Sequence, residues 1–153
     1  MASPLARRAA ILFVVVGLVL FVLMLVALFG SGRGGGWWNL EFLVLPFFPF
    51  SVLGNRVPDY ASLALPLVLL WSGWTYWRLG WHRLVGRVAA ALQVLGLVIY
   101  GYGFWQGNAD CHSGRPDGLC MIVGIFISMI GIGVLGLGTL LLVGQFVARR
   151  SRT

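Results

Sequence analysis

The sequence predicts an all-α integral membrane protein: a single domain, residues 1–153, of four transmembrane helices with both termini in the cytoplasm. Three observations support this fold class: the composition, four long apolar runs, and the distribution of the arginines. Hydrophobic residues make up 59% of the chain and charged residues 10%. Soluble domains average about 45–50% and about 25%, so a water-soluble enzyme and a disordered tail are excluded as classes.

The four apolar runs each supply the roughly 20 residues that cross about 30 Å of hydrocarbon as a helix. The predicted spans are about 9–29, 60–77, 85–105 and 119–147. Arg7 and Arg8 precede the first run, as basic residues do in a signal peptide. Because the apolar part of a signal peptide has only about 7–15 residues, we expect a retained helix.

The arginines indicate how the spans are oriented. Eight of the eleven belong to one side of the membrane: Arg7, Arg8, Arg78, Arg83, Arg87, Arg149, Arg150 and Arg152. The other three share the opposite loops with all four acids, so the two sides carry charges of +8 and −1. Basic loops resist translocation, and the eight-arginine side is therefore predicted to be cytoplasmic.

The same asymmetry accounts for the net charge of +7, so basicity gives no evidence for a nucleic-acid partner. Lysine is absent from the chain. We interpret this absence as a GC-rich coding bias, which indicates a bacterial source and an inner (plasma) membrane location.

The tryptophans agree with these boundaries, because their amphipathic rings favour the headgroup level. Those expected at the outer boundary are Trp37, Trp38 and Trp105, and those expected at or near the inner one are Trp71, Trp74, Trp77 and Trp81.

The first outer loop contains an unusually apolar segment, Trp37–Leu53. Pro46 and Pro49 interrupt it, and a fifth crossing would move the basic loop that follows residue 77 to the outside. We expect an interfacial or re-entrant segment that caps the bundle. The alternative is a docking site for a lipid, a quinone or a partner helix, with candidate contacts Trp37, Trp38, Glu41, Phe47 and Phe48.

Small residues recur at helical spacing in the third and fourth spans. In the third span the spacing of the repeat alternates between three and four residues, through Gly86, Ala89, Gln93, Gly96, Tyr100 and Gly103. In the fourth span the stripe is Gly124, Ser128, Gly131 and Gly138. Helices in a bilayer associate through close backbone approach, which small residues permit, so we expect the two stripes to pack together.

Gln93 is the one amide predicted at mid-membrane depth. We expect it to find a hydroxyl or a backbone carbonyl on another helix, an interaction of roughly 0.6 to 2 kcal/mol. The alternative is a polar site lined by this amide. Leu135, beside the glycine stripe, is expected to face lipid.

The second outer loop is predicted to hold both cysteines, Cys111 and Cys120. The loop is on the oxidising side, where disulfides persist, and Gly114 and Pro116 allow it to turn. A structural disulfide is therefore predicted. A redox pair would favour a C-x-x-C motif, and a metal site would have only His112 beside the cysteines in a spacing that matches no standard zinc arrangement.

Catalytic motifs are absent from the sequence. No His, Asp, Glu or Lys lies within the predicted spans, and Arg87 lies at the inner edge of the third. This pattern argues against haem or chlorophyll ligation and against a buried proton relay, so no cofactor, metal or catalytic residue is predicted.

The function predicted from these features is that of a non-catalytic accessory, assembly or stabilising subunit of a larger membrane complex. The expected partners are membrane lipid and a membrane protein, or further copies of the chain. Two alternatives stay open: an extracytoplasmic thiol-redox or metal-handling protein, and a carrier of a lipid, a quinone or a small molecule.

Overall fold

A computed structural model describes residues 4–29, 43–44, 46–47, 49, 57–79, 84–112 and 119–150. Its four helices are α1 (Pro4–Phe29), α2 (Val57–Leu79), α3 (Leu84–His112) and α4 (Leu119–Arg150). No strand occurs within these ranges. The predicted all-helical architecture with four helices is confirmed.

Three of the helices in the described residues are long and apolar enough to cross a membrane. These stretches are Pro4–Ala27, Leu84–Ala109 and Ile122–Ala148. α2 is not among them. Its 23 residues include tryptophans, tyrosines, prolines and hydroxyl side chains, all of lower hydropathy than leucine or valine. The protein is thus a membrane protein by helix length and composition, and the span at 60–77 stays a prediction.

α3 continues seven residues past 105, the predicted end of the third span. Cys111 and His112 are the last two residues of this helix, and Cys120 is the second residue of α4. The helix continues through Gly107 and the polar residues after Trp105, and the first proline after Trp105 is Pro116.

The helices form two close pairs, α1 with α2 and α3 with α4, and contact between the pairs is much sparser. In the first pair, Gly73 allows the backbones to approach. A Cβ at Gly73 would lie 2.8 Å from Cγ2 of Val14 and 2.9 Å from the carbonyl oxygen of Ala10. Next to this contact, the rings of Phe13 and Tyr76 stack with centroids 5.6 Å apart.

The second pair is held by glycines on both helices. A Cβ at Gly96 would lie 2.5 Å from the backbone nitrogen of Leu135, and a Cβ at Gly131 would lie 2.5 Å from that of Tyr100. Real Cβ atoms essentially never come this close, so a larger residue at either position forces the helices apart.

The structure corrects the expectation that Leu135 faces lipid, since only 3% of the residue is exposed. Leu135 follows Gly131 by four residues, which places both on the same face of α4. That face meets α3, where Gly96 provides the space for the leucine side chain. The fourth-span stripe is therefore a mixture of small residues and leucines, rather than glycine and serine alone.

Candidate functional site

The most connected polar group in the described residues is the side chain of Gln93, which is completely buried. Its Nε2 donates to Oγ of Ser72 at 2.9 Å and to Oγ1 of Thr139 at 3.0 Å. Its Oε1 accepts a hydrogen bond from the hydroxyl of Tyr76 at 3.0 Å. Gln93 thereby joins α3 to α2 and to α4. We call Ser72, Tyr76, Gln93 and Thr139 the polar cluster.

The hydrogen-bond pattern fixes which way the amide points. The hydroxyl of Thr139 donates to the carbonyl oxygen of Leu135 at 3.0 Å, so its oxygen can only accept from the amide. The atom that faces Thr139 must therefore be the nitrogen of Gln93, and the oxygen is left for Tyr76. Both N–H groups and the carbonyl of the amide then have partners.

The polar cluster holds helices together and offers no reactive group. An amide and three hydroxyls without an adjacent base, acid or metal supply no activated nucleophile. Among the described residues, no group of three or more His, Cys, Asp or Glu is placed to hold a metal ion. The geometry therefore favours the packing interpretation of Gln93 over a polar binding site.

A second polar contact fixes part of the apolar segment of the first loop. The hydroxyl of Tyr100 donates to the carbonyl oxygen of Leu43 at 2.7 Å, and the amide of Phe47 donates to the carbonyl of Val44 at 2.9 Å. Leu43 and Phe47 are both buried, at 3% and 5% exposure. This segment is thus packed against the helices at the level of Tyr100.

Phe47 also borders a groove of about 460 Å³ between α2 and α4. The walls are apolar side chains such as Leu65 and Ile132, with Gly133 and Gly136 on the α4 side.

The structure brings together the predicted packing residues of α3 and α4. All of them are buried at the α3–α4 seam: Gly86, Ala89, Gln93, Gly96, Gly124, Ser128, Gly131 and Gly138. A Cβ at Gly138 would lie 2.7 Å from the carbonyl oxygen of Ala89, and one at Gly124 would lie 2.7 Å from Cα of Gly107. Ser128 donates to the carbonyl of Tyr100 at 3.3 Å.

Most of the predicted first-loop contacts, and the side chains of both cysteines, lie outside the described residues. Of the candidate contacts in the first loop, Phe47 is described, whereas Trp37, Trp38, Glu41 and Phe48 are outside the described residues. Cys111 and Cys120 lie at facing ends of α3 and α4, but their side chains are likewise outside. The disulfide between them stays a prediction.

Sequence reasoning missed the partners of Gln93. Ser72 and Tyr76 are four residues apart and therefore share a face of α2, which was the available signal. Thr139 directly follows Gly138 of the fourth-span stripe. Tyr100 was assigned to packing, and its bond to Leu43 could not be derived from spacing because the partner is 57 residues away.

Comparisons with known proteins give no relative: no family model, no curated protein and no solved structure matches this chain.

Proposed function

We propose that the protein is a non-catalytic accessory, assembly or stabilising subunit that packs against a larger complex in the inner membrane. The observation that carries this proposal is the contrast between two groups of helical glycines. One group lies in the seams between helices, where each glycine permits a close contact. In the other group, a Cβ would meet nothing within 4 Å, at Gly101, Gly133, Gly136 and Gly144.

Glycine inside a helix costs up to about 1 kcal/mol relative to alanine. A glycine that faces lipid tails gains no stabilising contact that offsets this cost. A neighbouring helix can approach a glycine closely, and the resulting backbone contacts offset it. Three of the four open glycines lie on α4, and Gly133 and Gly136 line the groove beside α2. We infer that a partner helix docks on this side of α4.

The interior supports a structural role as well. The amide of Gln93 is fully engaged within the polar cluster, which supports a role in packing rather than in chemistry. Because the interior amide already has its hydrogen-bond partners inside the protein, we infer that contacts with a complex are made through the outer surface.

The membrane arrangement that we propose has α2 as a fourth span, with both termini in the cytoplasm. α2 is about 34 Å long at 1.5 Å per residue and packs beside α1, while its hydroxyls Ser72 and Thr75 are buried in the protein. The eight arginines on one side support the orientation.

We also propose that the segment around Leu43 is re-entrant rather than interfacial. Tyr100 lies 12 residues before the end of α3, about 18 Å along the axis, and five residues before Trp105 at the expected outer boundary, about 7 Å. The carbonyl that it binds is therefore well below the outer ends of the helices. Irregular backbone is tolerated at such depth when it is buried in protein, and the hydroxyl of Tyr100 supplies the hydrogen bond that the carbonyl of Leu43 needs.

Gentle extraction of the membrane, followed by identification of the co-purifying proteins, tests the accessory role. We expect at least one larger membrane protein to accompany the wild-type chain, and Gly133→Leu with Gly136→Leu to release it. Because both positions are open, this variant should keep the thermal stability of the isolated protein.

Gly101→Leu is the control, since it adds a leucine at an open position on α3, and Gly133→Leu alone is the test variant that matches it in bulk. Retention of the partner by the control and its loss from the α4 variant would locate the docking face. A wild-type chain that is extracted alone and as a monomer would contradict the proposal, and recovery of extra copies only would replace it with self-association.

The groove between α2 and α4 favours a second candidate, a carrier of a lipid, a quinone or another apolar molecule. Its volume of about 460 Å³ is within the range of small-molecule pockets. Mass spectrometry of molecules retained by the purified protein tests this candidate: one stoichiometric apolar compound, lost on Gly136→Leu, would favour it over the accessory role. The thiol-redox or metal-handling alternative depends on the state of the two cysteines.

A further inference from the structure

A second groove, of about 330 Å³, lies between α1 and α2 on the lipid-facing side. Its lining is apolar and includes Val14, Val15, Gly73, Trp74 and Trp77. The close approach of the two helices at Gly73 forms its floor. The groove is near the N-terminus of α1 and the C-terminus of α2, which is the end that carries the arginines.

Two arginines stand at this end of the groove. The guanidinium carbon of Arg7 lies 5.9 Å from the ring centroid of Trp77, and that of Arg78 lies 4.7 Å from the centroid of Trp74. Each tryptophan thus lines the groove and also holds a cation against its face. Such cation–π contacts position a guanidinium while its N–H groups stay available for an anion.

No acidic residue of α1 or α2 lies close enough along its helix to neutralise these two arginines. Asp59 is the acid of α2, and it precedes Arg78 by 19 residues, about 28 Å along the axis. α1 contains no acid at all. The mouth of the groove is therefore a pair of cations beside an apolar channel and two amphipathic rings.

We propose that this groove binds an anionic phospholipid of the cytoplasmic leaflet. The guanidinium groups of Arg7 and Arg78 receive the phosphate, which they can bind through paired hydrogen bonds. An acyl chain lies along Val14 and Val15. Trp74 and Trp77 lie at the headgroup level, which their rings favour. A zwitterionic lipid fits less well, because its ammonium group would be repelled by the same two cations.

This inference is independent of the accessory role, and it takes the cytoplasmic leaflet from the proposed orientation. The lipid groove is on α1 and α2, whereas the proposed partner face is on α4, so failure of either proposal leaves the other standing.

Native mass spectrometry of the full chain in mixed micelles provides the test. The micelles contain equal amounts of phosphatidylglycerol and phosphatidylcholine with identical acyl chains, so the headgroup charge is the one difference. We expect the wild-type protein to retain phosphatidylglycerol preferentially. A direct hydrogen bond to a charged group contributes roughly tenfold or more to binding, so Arg7→Gln with Arg78→Gln should lower the preference on the order of 100-fold.

Arg149→Gln with Arg150→Gln is the charge-matched control, because it removes the same charge from the same end of the bundle on another helix. It should keep most of the preference. Equal loss in both double variants would mean a general field effect and would overturn the site, as would a wild-type protein without preference.

The channel is tested separately from the charges. Val15→Phe fills the groove, whereas Val19→Phe adds the same bulk one turn away; both valines are 53% exposed, so folding should survive in each. We expect lipid loss from the first variant alone. Thermal unfolding verifies that the variants are folded. Unchanged lipid retention by Val15→Phe would overturn the proposal that an acyl chain lies in the groove. Displacement of the lipid by millimolar inorganic phosphate would identify a simple anion site instead.

Discussion

Leu135 of α4 fills the space that Gly96 leaves open on α3: a Cβ added at Gly96 would lie 2.7 Å from the Cβ of the leucine. The relation is repeated along the seam, where Gly131 faces the backbone of Tyr100 in the same manner. At these two positions each helix supplies a glycine opposite a larger residue of the other helix. The seam depends on position, and the same substitution has different consequences one or two residues away.

Gly131→Leu should unfold or separate the α3–α4 pair, whereas Gly133→Leu should leave stability unchanged. A Cβ at Gly131 meets backbone at 2.5 Å, and one at Gly133 meets nothing within 4 Å. Leu135→Ala should also destabilise, by about 2–4 kcal/mol, because a buried leucine leaves a cavity. Thermal unfolding of the purified variants in one detergent measures the difference. Equal midpoints for the two glycine variants would contradict the seam.

Gln93→Leu should destabilise the protein by about 1–3 kcal/mol, because its removal leaves the buried hydroxyl of Tyr76 without this acceptor. Gln145→Leu is the matched control. The Nε2 of Gln145 is buried without a partner in the described residues, so its replacement should be neutral or stabilising. Unfolding in detergent compares the two variants, and a larger loss in the control would remove the linking role of the cluster.

Tyr100→Phe should loosen the segment around Leu43 and leave the helices intact. The variant keeps the ring but removes the hydrogen bond to the carbonyl of Leu43. Loss of this bond to a buried acceptor costs about 1–3 kcal/mol of stability. Tyr102→Phe makes the same change on a side chain that is half exposed. Hydrogen exchange of the peptide that contains residues 43–47 gives the readout: faster exchange should occur in the first variant only, and equal protection in both would show that the bond does not anchor the segment.

The orientation predicts the result of reporter fusions. A reporter active only in the cytoplasm should give a signal when it is fused to Thr153 and none when it is fused after Gly114. The +8 against −1 asymmetry gives the reason. The reverse pattern would invert the topology, and a signal at both sites would mean that α3 and α4 do not both span.

Cys111 and Cys120 should be linked to each other. Closing a loop of about ten residues contributes on the order of 2–3 kcal/mol, so Cys111→Ser with Cys120→Ser should keep insertion and most of the stability. A membrane-impermeant maleimide applied to intact cells should label the wild-type cysteines only after reduction. Labelling without reduction would indicate free thiols and would favour the redox or metal-handling alternative.

The helices and the α3–α4 seam were predictable because both are local patterns. Apolar length sets where a helix can run, and the spacing of Gly96 and Tyr100 places them on one face. The burial of Leu135 was not predicted, since a leucine in an apolar helix is equally suited to lipid and to protein. Whether Leu135 is buried depends on Gly96 of α3, and the sequence of α4 alone does not contain that information.

The polar cluster was predictable only in part. Gln93 was identified because an amide at mid-membrane depth requires partners. Which hydroxyls it binds depends on how the two helix pairs pack against each other. The residue spacing within a single helix does not predict that packing. For the same reason the cation–π pair of Arg7 and Trp77, which joins α1 to α2, could not be derived from spacing.

The division into two close pairs implies an order of biogenesis. α1 and α2 leave the ribosome first and can close their contact at Gly73 before α3 has been synthesised. With α2 as a span, as proposed, Ser72 and Tyr76 are in the bilayer without the amide of Gln93 until the second hairpin has been made. We expect the two hairpins to associate last, because contact between them is much sparser than contact within each.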